Sequence, residues 1–89
     1  MTTLIVPSSL RRYSNQQARL TLVATTVDEL LQMLVHDSSE LRNFLFSGKT
    51  LRKFVIVSKN GQDIRLLDRL ATSVCAADEV HLIAGVAGG

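Results

Sequence analysis

The chain has 89 residues, enough for one small domain. Hydrophobic residues make up 46% of it and charged residues 20%, a balance that excludes disorder. The net charge is +2, but the cations are scattered or merely paired, as in Arg11-Arg12 and Arg52-Lys53, and aromatic residues are few; this argues against a nucleic-acid surface and for a solvated face that meets an acidic protein partner.

Thr3–Val6 reads as a strand stopped by Pro7. Ser8–Gln17 is polar and reads as a turn. Ala18–Val23 alternates and forms the second arm of a long-looped hairpin. Thr26 and Glu29 make a capping box. Val27, Leu30, Leu31, Leu34 and Val35 then recur at helical spacing, a stripe suited to covering a sheet. His36–Ser39 interrupts the stripe. Asp37 with Glu40 resembles a second cap, and Leu41, Phe44 and Leu45 continue as a short helix or turn closed by Ser47-Gly48-Lys49.

Arg52–Lys59 is rich in β-branched and aromatic residues, and Asn60-Gly61 is a strong hairpin signal. Gln62–Leu67 is expected to return as a strand. Leu70–Val74 reads as irregular or a single turn. Glu79–Ala84 is a last strand, expected at the centre of the sheet, where it would anchor the chain's final residues. The sum is an α+β domain over residues 1–84, with one main helix on one face of a mixed four- to five-stranded sheet, and a flexible tail over 85–89.

The tail ends Val86-Ala87-Gly88-Gly89. Two glycines can thread a narrow channel with backbone angles closed to other residues. Five extended residues reach ~17 Å. The terminal carboxylate of Gly89 becomes an acyl donor once an enzyme joins it to a nucleotide. The plainer alternative is a frayed end.

Alternation in the last strands turns Val55, Val57, Val80 and Leu82 inward and Phe54, Ile56, His81 and Ile83 outward. Phe54, Ile56 and Ile83 then form an apolar partner-binding patch near the root of the tail. The opposite register would bury them instead.

The remaining chemistry-bearing residues have plain structural readings. Cys75, the single cysteine, cannot form an intrachain bridge, which fits a reducing compartment; its apolar neighbours favour a buried, inert thiol. Asp28 and Glu29 suit a helix N-terminus, and His36 a helix end or open surface. His36 and His81 lack metal-ligand spacing, no loop cradles phosphate, and no catalytic group stands out. Leu4-Ile5-Val6 is too short for a leader core or a membrane span, so the expected location is the cytoplasm.

These residues carry a family resemblance. The element order is similar to that of the β-grasp fold, and Val86-Ala87-Gly88-Gly89 resembles the ending of the MoaD/ThiS family of ubiquitin-like sulfur carriers. Phe54-Val55 through Asn60, then Asp63-Ile64-Arg65, resembles the central hairpin of the CysO-type, cysteine-pathway branch. Leu70-Ala71-Thr72, with Asp78 and Val80, leans the same way, and Pro7 with Leu10-Arg11 matches the end of the first strand and its turn. Gly85, where the family often carries a stiffer residue, and the tight Asn60-Gly61 turn depart from the pattern.

The resemblance implies a protein co-substrate rather than an enzyme. An E1-like adenylyltransferase/sulfurtransferase, using ATP and Mg²⁺, would activate Gly89 and convert it to a thiocarboxylate. A sulfur-accepting synthase would then take the sulfur for a cysteine, molybdopterin or thiamine type of pathway. In some members a peptidase, here a metallopeptidase, exposes or releases the tail. Two alternatives share the tail: a ubiquitin-like modifier joined through Gly89 to target lysines, and a β-grasp subunit that regulates without covalent chemistry.

Overall fold

The computed structural model describes residues 1–84. The chain opens with β1 (Thr2–Ile5), a 3-10 helix over Ser8–Ser14, and β2 (Arg19–Leu22). The helices α1 (Val27–Val35) and α2 (Ser39–Leu45) come after them. A small hairpin is next, β3 (Phe46–Ser47) with β4 (Thr50–Leu51). Then come β5 (Val55–Lys59), β6 (Gln62–Asp63), two 3-10 turns over Ile64–Leu66 and Arg69–Ala71, and β7 (Glu79–Ala84).

The main sheet has the order β2-β1-β7-β5-β6. β7 lies in the middle, parallel to β1 and antiparallel to β5. It is thus hydrogen-bonded on both edges, and the described residues end on this central strand. This is a β-grasp arrangement of the α+β class.

Burial follows the two periodicities of the sequence. The helical stripe of Val27, Leu30, Leu31, Leu34 and Val35 is buried on α1. It meets Leu4 and Val6 from the first strand region, Val55 and Val57 from β5, and Val80 and Leu82 from β7 in one apolar cluster. At about 25 cal/mol per Å² of apolar surface, each buried Leu or Val contributes roughly 1.5–3 kcal/mol.

Local chemistry sets the ends of the elements. The Thr26 hydroxyl caps α1 by accepting the Glu29 N–H at 3.2 Å. The Glu29 carboxylate reaches back to the Thr25 N–H at 2.6 Å and the Thr25 hydroxyl at 2.7 Å. Its reach ends one residue before the N-cap, a capping box displaced by one position. The cap of α2 is Ser38, which accepts the Leu41 N–H at 3.1 Å, and not Asp37. The return strand expected over Gln62–Leu67 is only two residues long. The Asp63 carboxylate accepts the Arg65 N–H at 2.9 Å and starts a 3-10 turn, which ends the ladder. Ser47-Gly48-Lys49, expected to close the second helix, instead belongs to the β3–β4 hairpin: Ser47 ends β3 and Gly48-Lys49 is the turn, with Gly48 at φ +65°. Asn60 and Gly61, at φ 51° and +86°, form the tight β5–β6 turn.

Candidate functional site

The tail residues Val86, Ala87, Gly88 and Gly89 lie outside the described residues. The structure supplies their root and the surface around it.

Ala84, the last residue of β7, pairs with Val55 of β5. One step back, Ile83 pairs directly with Ile56. Both side chains point away from the helices, and they are 51% and 37% exposed. Val57 and Leu82, one position further along, are buried. Two β-branched side chains side by side on an open sheet face satisfy the pleat but not the core. Their shared exposure leaves an uncovered apolar surface at the end of the described residues.

Phe54 does not join them. It precedes β5 rather than belonging to it, so strand alternation does not set its direction. Its half-buried ring packs at a 55° tilt against Phe44 of α2, with centroids 5.3 Å apart. Phe44 is itself 41% exposed, so the pair forms a separate aromatic step beside the hairpin.

The open face changes character along β7. Ile83 stands at the tail end, His81 in the middle and Glu79 at the start. The Glu79 carboxylate takes His81 Nε2 on one oxygen and the Arg19 guanidinium on the other, each at 2.7 Å. His81 and then Arg19 hold Glu79 below the usual carboxylate range. Arg19 comes from β2, on the far side of β1. The apolar half of this face therefore borders a charged half.

A second polar knot fixes where β7 begins. The Asp78 carboxylate accepts the Cys75 N–H at 2.6 Å and the Asn60 side-chain amide at 2.9 Å, with Lys59 Nζ at 3.7 Å. Asn60, then Cys75, then Lys59 lower its pKa. The Asn60 side-chain carbonyl oxygen accepts the Glu79 N–H at 2.9 Å, and the Asp78 backbone carbonyl accepts the Thr3 N–H at 3.1 Å. The β5–β6 turn and β1 are thereby locked to the start of the strand that carries the tail. The sequence reveals the Asn60-Gly61 turn but not this partnership. Its signal is an asparagine at a left-handed turn position facing an aspartate 18 residues away.

Cys75 is exposed, contrary to the expected buried thiol. The loop from Cys75 to Asp78 is a turn bonded to the Asp78 side chain and not a packed segment. His36 is exposed at the end of α1. Among the described residues no group of three or more His, Cys, Asp or Glu side chains could hold a metal ion. Among them, too, no helix is long and apolar enough to cross a membrane.

Comparison with known proteins places this geometry. The family model described as "ThiS family" matches residues 4–89. The CysO chain in the BexX/CysO complex of Amycolatopsis orientalis superposes with a TM-score of 0.87 at 24% identity, covering 100% of both chains. CysO of Mycobacterium tuberculosis gives 0.83 at 24% identity, over 97% of this chain and 100% of that one. Small archaeal modifier protein 1 of Methanosarcina acetivorans gives 0.81 at 24% identity, over 99% and 95%. No curated protein sequence matches the chain at a significant level.

Proposed function

Because this chain belongs to the ThiS family, we propose that it is a sulfur carrier whose working group is the terminal carboxylate of Gly89. The observation that carries this reading is the family match itself, which runs through the Gly88-Gly89 end. The central position of β7 supports it, since a tail delivered into another protein's site needs a rigid base.

The chemistry assigns little to the folded domain. An E1-like partner supplies ATP and Mg²⁺. The Gly89 carboxylate attacks the α-phosphorus, pyrophosphate leaves, and an acyl-adenylate forms. A sulfur nucleophile then attacks the carbonyl carbon and displaces AMP. If that nucleophile is a persulfide, a second thiol cleaves the S–S bond to release the thiocarboxylate. A synthase consumes the sulfur, and a metallopeptidase exposes or frees the tail where the pathway needs it. The chain acts as a co-substrate: the domain is the handle, and Ile56 and Ile83 are the surface by which the activating partner grips it.

The BexX/CysO complex is a complex of a CysO protein, and this supports docking to a second protein. A modifier reading, with Gly89 joined to target lysines, is favoured by the likeness to a small archaeal modifier protein. Both readings share the adenylate.

Intact-mass measurement separates them. After incubation with ATP, a competent activating enzyme and a sulfur donor, the carrier gains the mass of one oxygen replaced by sulfur, localised to Gly89. Lysine adducts without that product identify a modifier. A chain lacking Gly89 that still transfers sulfur at the wild-type rate would rule out the proposal.

A further inference from the structure

A groove runs along the outer edge of β5, on a different flank of the domain from the Ile56–Ile83 surface. β6 pairs only with Ser58 and Lys59, so Val55, Ile56 and Val57 have no strand on that side. The Asn60 N–H donates to the Glu79 carbonyl at 2.8 Å, which marks that pair as hydrogen-bonded. Antiparallel ladders alternate, so Ser58–His81 and Ile56–Ile83 are bonded pairs too. Val57 between them turns its N–H and C=O away from β7; the Ser58–Asp63 pairing engages that C=O with the Ile64 N–H, so the Val57 N–H is the group left facing the groove. The Val55 N–H is already taken by the Arg52 carbonyl at 3.0 Å, but its C=O faces the same way.

The groove is a cavity of about 400 Å³ with Val57, Ile64 and Leu70 in its lining. Four cations also line it: Arg52, Lys53, Arg65 and Arg69. The one carboxylate in the lining, Asp63, is engaged by Arg65 at 2.6 Å. Lys53 and Arg69 have no carboxylate partner among the described residues.

We propose that this groove binds an extended acidic segment of a partner protein, which adds to β5 as a further strand. The outward-facing Val55 C=O and Val57 N–H, which flank Ile56, supply the main-chain acceptor and donor for such a segment. The apolar lining takes alternate β-branched side chains, and the cations take the carboxylates between them. A second copy of this chain is a poor occupant, because it would bring the same cations together. The proposal is independent of the chemistry at Gly89.

The probe is a ten-residue peptide alternating valine or isoleucine with aspartate or glutamate, titrated into the isotope-labelled full chain by NMR. Saturable shifts centred on Val55, Val57, Ile64 and Arg65 are expected. A peptide N-methylated at alternate amides and a version with lysine for every acid should both fail. The double variant Lys53→Glu/Arg69→Glu should bind at least tenfold more weakly with its spectrum otherwise intact. Lys53→Glu alone, at an exposed position, provides the same test in a smaller step. The proposal is overturned by no saturable shifts, by shifts centred on Ile56 and Ile83 or on β2, or by equal binding of the lysine peptide. Equal binding of the N-methylated peptide also overturns it, since that would mean a side-chain pocket without strand addition.

Discussion

Single residues show where sequence neighbours mislead. Cys75 sits between Val74 and Ala76, which suggests burial, but apolar neighbours in sequence are not packing partners in space. Val74 is buried under the start of α1, tied by its N–H to the Thr25 carbonyl at 3.0 Å. The next residue begins a turn whose backbone is claimed by Asp78. The thiol should therefore react with one equivalent of maleimide in the native chain, without denaturant, and a mass shift reads this directly. Cys75→Ser should change stability by no more than about 0.5 kcal/mol, as at an ordinary surface position. The acids make a second prediction. Glu29 is held below the usual carboxylate range by the Thr25 hydroxyl and N–H, Asp63 by Arg65, Asp78 by Asn60 and Cys75, and Glu79 by His81 and Arg19. Each lowered group binds fewer protons folded than unfolded in the acid range. Its contribution is complete above the ordinary carboxylate value, about pH 4, and is lost as pH falls through the lowered folded values. Denaturant midpoints should be flat from pH 7 to about 5 and should drop below pH 4. Midpoints that rise on acidification would contradict the assigned partners.

At the scale of elements, legibility follows periodicity and fails where side chains compete with the backbone. The five-residue stripe of α1 is plain because 3.6-residue spacing has few other causes, and the β5–β6 turn because Asn-Gly prefers positive φ. β6 is shorter than its sequence suggests. Its run of Ile64, Leu66 and Leu67 looks extended, but Asp63 captures the Arg65 N–H and guanidinium and curls the chain. The Ser8–Ser14 helix reads as a turn because Leu10 is its one buried hydrophobic residue, too little for a periodic signal. These causes differ in energy, and α1 tests the difference. Thr26→Ala removes the cap bond and should cost about 1 kcal/mol. Leu31→Ala opens a cavity in a fully buried site and should cost about 2–5 kcal/mol. Urea unfolding of the two variants should rank them in that order, with unchanged m-values. Equal costs would mean that the cap, and not the stripe, sets where the helix begins.

The whole molecule divides its labour between the two faces of one sheet. The core needs only one face, and the helices cover it. The uncovered face could have been uniformly polar. Instead β7 grades from the Glu79–His81–Arg19 cluster to Ile83 at its C-terminal end, with Ile56 beside it. Alternation makes these two isoleucines legible from sequence. The charged cluster is not, because Arg19 and Glu79 are 60 residues apart and meet only through the strand order. If the apolar end of this face seats the activating partner, its loss should separate docking from folding. Ile56→Thr/Ile83→Lys keeps a β-branched residue on β5 and adds a charge to β7. Because both positions are exposed, stability should change by less than about 1 kcal/mol. The adenylation rate should fall at least tenfold, roughly 1.4 kcal/mol of transition-state stabilisation. The loss should appear in KM, since the carboxylate of Gly89 is untouched and chemistry in the bound complex should proceed as before. A fall in kcat at unchanged KM would instead assign the pair to placing the tail. Wild-type turnover would remove them from the partner surface and leave the Phe44–Phe54 step as the apolar feature still to be tested.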